Sequence, residues 1–313
     1  MELWNEFDRL VVFDTETTGI EFGRDRIIEI GAVALENGEE CGNFNALIRL
    51  PAGQTLPPFI TNLTGITDAQ LMREGVDDRR AAEGFCRLLD GAEQPLLVAY
   101  NAQFDLNFLY YLLRPLGLLS ALQKPRFLDA LTVYRDRRDF PHKLCNAIEA
   151  YGLTEAENSH RAVDDARATV LLLEAMAAEK DDLLRYIDLF GVHPKYGMSG
   201  KKIASVTYCP QPYDRRIPLY DLLHTLAFGA GIIAAVPLQE IDNAPHAQAS
   251  AQSHNKGLQS INSGRKELHI ASISPGFSPA MKKAAHTGGR LRLLDTLSRS
   301  GIYTKASGSS TSS

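Results

Sequence analysis

Apolar residues recur along the first two-thirds of the chain in short runs separated by longer amphipathic stretches. Arg9 to Asp14 (RLVVFD) is a brief, nearly continuous apolar run, the pattern of a buried strand. Arg26 to Leu35 (RIIEIGAVAL) repeats it, and Asn43 to Leu50 alternates polar with apolar positions. Between these two lies Asn37-Gly38, a hairpin signal because both residues tolerate positive φ. Three consecutive strands therefore open the domain as an antiparallel meander. The pattern next predicts a helix over Val76–Leu89 and a buried strand over Pro95–Tyr100 (PLLVAY). An apolar helix over Phe104–Leu113 stops near Pro115, which has no amide hydrogen to continue it. A short strand at Arg126–Leu128 follows, then helices over Ala130–Arg137, Lys143–Tyr151 and Arg161–Glu179. Strands first, then strand–helix alternation, predict an α/β fold with one mixed sheet and helices on its faces. One more apolar stretch, Leu222 to Leu238, has 17 residues, contains His224 and two glycines, and meets Pro237. It falls short of the roughly 20 residues that cross a bilayer. It reads as a buried or loosely packed helix, and no membrane association is expected.

Composition changes this picture mainly at the C-terminal end. The chain has 313 residues, 44% hydrophobic and 23% charged, which excludes a wholly disordered chain and a coiled coil. Charge is unevenly placed. Residues 1–228 hold 24 Lys/Arg against 34 Asp/Glu, whereas the last 85 residues hold nine against four. Those 85 contain only two aromatics, Phe277 and Tyr303, and end in Ser-Gly-Ser-Ser-Thr-Ser-Ser. Such a segment has little apolar burial to offset its ordering entropy. Residues 224–313 are accordingly expected to form a low-complexity, mostly disordered tail, with a short helix around Gly289–Ser298. The net charge of −5 argues against a broad basic face for duplex DNA. It is compatible with a nuclease, whose metal-binding carboxylates make its site acidic until cations arrive. Cys41, Cys86, Cys145 and Cys209 are widely separated, without a CxxC pair, so free thiols are expected. The N-terminus lacks the basic and apolar regions of a signal peptide, and a cytoplasmic location is expected.

Three acidic segments carry candidate chemistry. Asp14 and Glu16, in Asp14-Thr15-Glu16-Thr17-Thr18-Gly19, stand two apart at the end of the first strand and so project from the same face. Adjacent carboxylates repel, and become favourable when they share a divalent cation. Taken alone, the pair also fits one turn-capping and one solvated acid. Asn101-Ala102-Gln103-Phe104-Asp105 follows the fourth strand and brings Asp105 into the opening of a helix. There an Asp also suits the helix dipole, and Asn101 also suits a cap. The third segment runs from Ser159 through His160 and Arg161 to Asp164 and Asp165. With Ser159 as a cap, His160 lies in the entering loop and Asp165 in the first turn. Asp165 shares a helical stripe with Ala162, Ala166, Thr169 and Leu173, where a charge is costly unless paired or metal-bound. Asp164 is its rival and reads as a solvated first-turn acid. Four carboxylates and one His suit two-metal phosphodiester hydrolysis.

DTETTG, NAQFD and HRAVDDA resemble the three motifs of the DEDDh-type 3′–5′ exonuclease family, best known from the DNA polymerase III epsilon subunit. GITD at Gly65–Asp68 and HKL at His142–Leu144 are similar too. The resemblance covers about residues 7–180 and implies a ribonuclease-H-like fold with a five-stranded mixed sheet. It implies that Asp14, Glu16, Asp105 and Asp165 are ligands of two Mg²⁺ or Mn²⁺ ions, Asp14 bridging both, and that His160 is the general base. It implies further that Thr17, Thr18, Leu63, Ile66, Asn101 and Phe104 line the pocket of the 3′-terminal nucleotide. Tyr100 departs from the family, which often has His there. Residues 181–223 resemble an extension of some polymerase-III-like exonucleases, in which Lys201 and Lys202 are candidates for phosphate contact. The expected partner is a single-stranded nucleic-acid 3′ end, with a DNA polymerase as a second expectation. The expected activity is DNA exonuclease. An exoribonuclease and a catalytically idle binding module of the same fold are the alternatives.

Overall fold

A computed structural model of the chain describes residues 1–156, 160–212 and 217–222. The expected cap Ser159, the expected tail helix and nearly all of the apolar stretch from Leu222 lie outside the described residues. The predicted meander is formed by β1 (Arg9–Thr17), β2 (Ile27–Glu36) and β3 (Glu39–Leu47). The β2–β3 turn lies at Asn37 and Gly38, both with positive φ. β3 thus begins four residues earlier than its alternation of polarity suggested, because the two-residue turn leads straight into pairing, beginning at Glu36 with Glu39. β4 (Pro95–Ala99) and β5 (Arg126–Asp129) run parallel to β1 and complete a five-stranded sheet of order β3-β2-β1-β4-β5.

Two short helices, α1 (Pro58–Thr64) and α2 (Asp68–Glu74), occupy a stretch in which no element was predicted. Their seven-residue lengths are too short for a helical period to show. Ile60, Ile66 and Leu71 close a small apolar cluster with Ile28, Leu47 and Leu56. α3 (Asp78–Cys86) is capped by the Asp77 side chain, which accepts from the Arg80 amide, so it starts later than predicted. α4 (Ala102–Leu113), α5 (Ala130–Arg137), α6 (Leu144–Ala150) and α7 (Ala162–Glu179) follow the prediction closely.

Alternation along β1 and β2 separates two cores. Leu10, Val12, Val33 and Leu35 face α7, packing with Ala166, Leu173 and Met176. Val11, Phe13, Ile30, Ala32 and Ala34 face α3 and α4, packing with Phe85, Leu106 and Leu109. Residues beyond α7 join these cores. Leu183, Tyr186, Leu189, Cys209, Leu219 and Tyr220 are buried on the α7 side, and a parallel pair, β6 (Leu189–Val192) and β7 (Thr207–Pro210), passes Phe190 and Val206 to the other. Among the described residues no helix is long and apolar enough to cross a membrane. The four cysteines are free.

A chain ending at Lys180 loses the cover of Leu183, Tyr186, Leu189, Leu219 and Tyr220. Each fully buried side chain of this size is worth about 1.5–3 kcal/mol. Such a truncation is expected to abolish cooperative thermal unfolding, whereas a chain ending at Leu223 is expected to melt cooperatively at close to the full-length temperature. Calorimetry on the two truncations checks this.

Candidate active site

The carboxyl ends of the parallel strands β1, β4 and β5 lie at one edge of the sheet. β1 sits where the antiparallel meander meets the parallel part, and the crevice at such a junction is where α/β sheets bind ligands. Asp14 and Glu16 continue the stripe of Leu10 and Val12, so they face α7. Asp105, in the first turn of α4, is 2% exposed. The amide and hydroxyl of Thr15 donate to its Oδ1 at 3.1 and 2.6 Å. Asp165, in the first turn of α7, is also buried, and its Oδ1 has no hydrogen-bond partner. Asp164 beside it is only partly buried. His160 precedes α7 with φ 54°, in the left-handed region. One ligand atom from each of Glu16, His160 and Asp165 lies within 4.8 Å of the other two. The tight group therefore contains the histidine, with Asp14 and Asp105 coupled to it through charge.

These acids oppose one another. Burial raises Asp14 far above the ordinary carboxylate range, and the charges of Asp105, Asp165 and Glu16 raise it further. Burial does the same to Glu16, reinforced by Asp165 and Glu29 and relieved by Arg161. Burial lifts Asp105 to about 7 despite its bonds from Thr15. Burial, with Asp164 and Glu29 nearby, lifts Asp165 to about 7. Burial and the Lys143 ammonium lower His160, keeping its imidazole neutral at neutral pH. An orphaned buried oxygen among mutually repelling carboxylates is the donor set of a divalent cation, and these residues fit one.

Several residues that build the site were not singled out from the sequence. Glu29 of β2, completely buried, faces Glu16 across the strand pair. It accepts from Arg161 Nη2 at 2.6 Å, from Arg161 Nε at 3.1 Å, and from the Ala162 amide at 3.2 Å. It thus ties down the first turn of α7, which has no side-chain cap of its own. Next to it, Gly31 lets α7 settle on the strand: a Cβ there would come within 2.0 Å of the Val163 nitrogen. A signal was present, since a charged residue inside RIIEIGAVAL is costly without a partner. Asp129, at the end of β5, is likewise buried. It accepts from the amides of Asn101 and Ala102 at 3.0 Å each and from the Thr132 hydroxyl at 2.6 Å. This fixes the turn into α4 with Asn101 in the left-handed region, φ 71°. Asn101 makes no side-chain cap, so the cap reading of that residue is corrected.

Of the residues expected around a 3′-nucleotide, Thr18, Leu63, Asn101 and Phe104 are partly exposed, whereas Thr17 and Ile66 have no exposed surface. Ile66 packs in the α1–α2 cluster, and the Thr17 hydroxyl donates to the Gly19 carbonyl at 2.5 Å. Tyr100 turns inward, its hydroxyl donating to the His142 carbonyl at 2.8 Å.

The sequence pattern of the exonuclease family matches residues 11–173, and the chain belongs to that family. It is of the DEDDh type that its motifs resemble. It is similar to the 3′-5′ exonuclease DinG of Bacillus subtilis (strain 168), 38% identical over 173 residues, covering 52% of this chain and 17% of that protein. It is also similar to the PolC-type DNA polymerase III of Clostridium perfringens (strain 13 / Type A), 32% identical over 190 residues, covering 60% and 12%. The chain spans less than a fifth of the length of these relatives. In structure it resembles Escherichia coli exonuclease I, solved in complex with a dT13 oligonucleotide, with a TM-score of 0.52 at 19% identity over 57% of this chain and 43% of that one. This likeness is one of fold.

Arg161→Ala leaves the buried Glu29 carboxylate short of its main partner and lowers stability by about 1–3 kcal/mol in denaturant titrations. Gly31→Ala, whose Cβ would meet the α7 backbone, lowers the melting temperature. A further outcome concerns charge. The folded state binds protons more tightly at Asp14 than the unfolded chain does, so the metal-free protein loses stability as pH rises above the ordinary carboxylate range. Asp14→Asn, compared with its parent in chelator, is expected to show no advantage in melting temperature at acid pH and a growing one toward neutrality. Mg²⁺ or Mn²⁺ is expected to raise the melting temperature of the parent more than that of the variant.

Proposed function

We propose that this chain is a divalent-metal-dependent 3′–5′ exonuclease that removes nucleotides from single-stranded or frayed 3′ ends of DNA. The observation that carries the reading is the convergence of Glu16, His160 and Asp165 beside Asp14, in a chain of the exonuclease family. The direction and the DNA substrate are supported by the similarity to DinG and PolC. The PolC likeness also motivates a polymerase as partner. In this reading residues 7–180 form the exonuclease unit, 181–223 its extension and 224–313 a tail that catalysis does not need.

Asp14, Glu16, Asp105 and Asp165 would hold two Mg²⁺ or Mn²⁺ ions. When bound, such ions neutralise phosphate charge and make water acidic enough to attack. The chain's own residues do the rest. His160, held neutral by burial and Lys143, accepts the proton of the attacking water at a ring nitrogen. His160 stands in the left-handed region with a ring nitrogen within 4.8 Å of Glu16 and Asp165, while Glu29 and Arg161 hold the turn behind it. Thr18, Leu63, Asn101 and Phe104 seat the terminal nucleotide by contacts that any base satisfies, so little sequence preference is expected.

End-labelled DNA and RNA oligonucleotides, single- and double-stranded, with Mg²⁺ or Mn²⁺, test the reading. Single-stranded DNA shortened from the 3′ end supports it. Preference for RNA makes the chain an exoribonuclease, and binding without hydrolysis makes it an idle module. His160→Ala is expected to keep the metal-dependent rise in melting temperature and to lose turnover by about 10²–10⁴-fold, the usual share of a general base. A variant that hydrolyses at the parental rate removes His160 from the mechanism.

A further inference from the structure

Between Asp188 and Asp214 the chain carries no acidic residue, yet it holds Lys195, Lys201 and Lys202. The first 228 residues as a whole are strongly acidic, so this segment is a local reversal of charge. All three lysines are exposed. Each ammonium lies beside an aromatic ring: Lys195 5.1 Å from the ring centre of Tyr196, Lys201 5.1 Å from Tyr110, and Lys202 5.8 Å from Tyr208. Such contacts restrict long side chains that would otherwise wander.

The segment is also fixed in place, against the helix that carries Asp105. Gln103, in the first turn of α4, donates to the carbonyls of Ser199 and Lys201 at 2.9 Å each. The Lys201 amide donates to Asn107 Oδ1 at 2.7 Å, and Tyr208 donates to Gln103 Oε1 at 2.7 Å. Gly200, with φ +80°, makes room for this docking: a Cβ there would lie 2.5 Å from Asn107 Oδ1 and 2.8 Å from Phe22. Phe22 in turn packs on Phe104, one of the partly exposed residues expected at the 3′-nucleotide. Ahead of this clamp, His193 Nδ1 accepts from the amides of Lys195 and Tyr196 at 3.0 and 3.2 Å and closes a tight turn. The His193 ring stacks on Tyr196 at 4.6 Å with 30° between planes, and Tyr196 remains 73% exposed. A large aromatic ring, backed by a second ring and still open to solvent, is a stacking surface.

We propose that residues 193–202 form a binding rim for the single-stranded nucleotides upstream of the 3′ terminus, with a base stacked on Tyr196 and phosphates met by Lys195, Lys201 and Lys202. The occupant follows from the chemistry. A flat aromatic face flanked by cations suits alternating bases and phosphates, and the acid-free segment offers nothing to repel a polyanion. The rim gives affinity without sequence preference, because every base has a face to stack. This inference rests on the exonuclease reading of the neighbouring acids, and deepens it.

The test uses the full chain, a long oligothymidylate, and the p-nitrophenyl ester of thymidine 5′-monophosphate, which reaches only the acidic site. Tyr196→Ala is expected to raise KM for the oligonucleotide roughly ten-fold, with the ester turned over as in the parent. Tyr196→Phe restores the parental KM. Replacing the three lysines by Gln is expected to reduce the slope of log affinity against log salt by about 2, at about 0.7 per lost phosphate contact on a single strand. Oligonucleotide affinity is read in parallel by fluorescence anisotropy in chelator, where no hydrolysis occurs. If the parent cleaves neither substrate, the exonuclease reading fails while anisotropy still decides the rim. Unchanged oligonucleotide affinity in the Tyr196→Ala and lysine variants overturns the rim and leaves the surface to another occupant, such as a protein partner. An equal loss on oligonucleotide and ester also overturns it, since the substitutions would then act on the acidic site itself.

Discussion

The ion pair between the buried Glu29 and the partly exposed Arg161 is the closure on which the acidic site depends. It joins the second strand to the entry of the last long helix, elements separated by 132 positions in sequence. Because the carboxylate also accepts from the Ala162 amide, it orients the helix as well as holding it. Gly31 completes the closure by letting backbone meet backbone. His160 lies just before this anchor and Asp165 one turn after it, so both reach Glu16 only when α7 sits flush on the strand. A buried pair is a weak source of net stability, since desolvation offsets much of the attraction. Its value here is in register: it fixes one docking of α7 among several that an apolar face would accept.

The site it creates is locally unfavourable. Four acids meet at one sheet edge, burial raises all of them, and one Asp165 oxygen is left without a partner. The strain is carried by a well-packed surround. Leu10, Val12, Leu173 and Met176 fill one face and Val11, Phe13, Leu106 and Leu109 the other, and every one of these is at most 3% exposed. Asp129 supplies the matching support on the parallel side, holding the turn that delivers Asp105. Glu29 and Asp129, tied by hydrogen bonds to the turns that they hold, flank Asp165, whose Oδ1 has no partner.

Residues 183–212, with Leu219 and Tyr220, complete both cores, and through Gln103 and Asn107 the segment also borders the helix that carries Asp105. One segment therefore has two roles. Its apolar side chains stabilise the domain from the inside, while its lysines and Tyr196 are exposed. Local charge reversal in an acidic domain is what distinguishes this surface from an ordinary solvated loop.

The residues of the proposed site are legible in the sequence because they occur in compact local patterns. Asp14 and Glu16 share a face by the two-residue period of a strand. Asp165 stands out as a charge on an apolar helical stripe, and the structure buries it while leaving Asp164 partly exposed. The sheet, too, followed from short apolar runs and one Asn-Gly turn. The α1 and α2 helices, the β6–β7 pair and the cores that they close were not legible, since seven- and four-residue elements contain too little of a period to register. Nor did local pattern reveal that Glu29 meets Arg161, that Gly31 must be bare, or that Lys201 docks on Asn107. Each of these depends on which surfaces come together after the sheet has formed. Periodicity is a property of neighbours along the chain, and it determined the elements and the acids. Contact between distant segments is decided by packing and desolvation in three dimensions, and these determined how the acids are held.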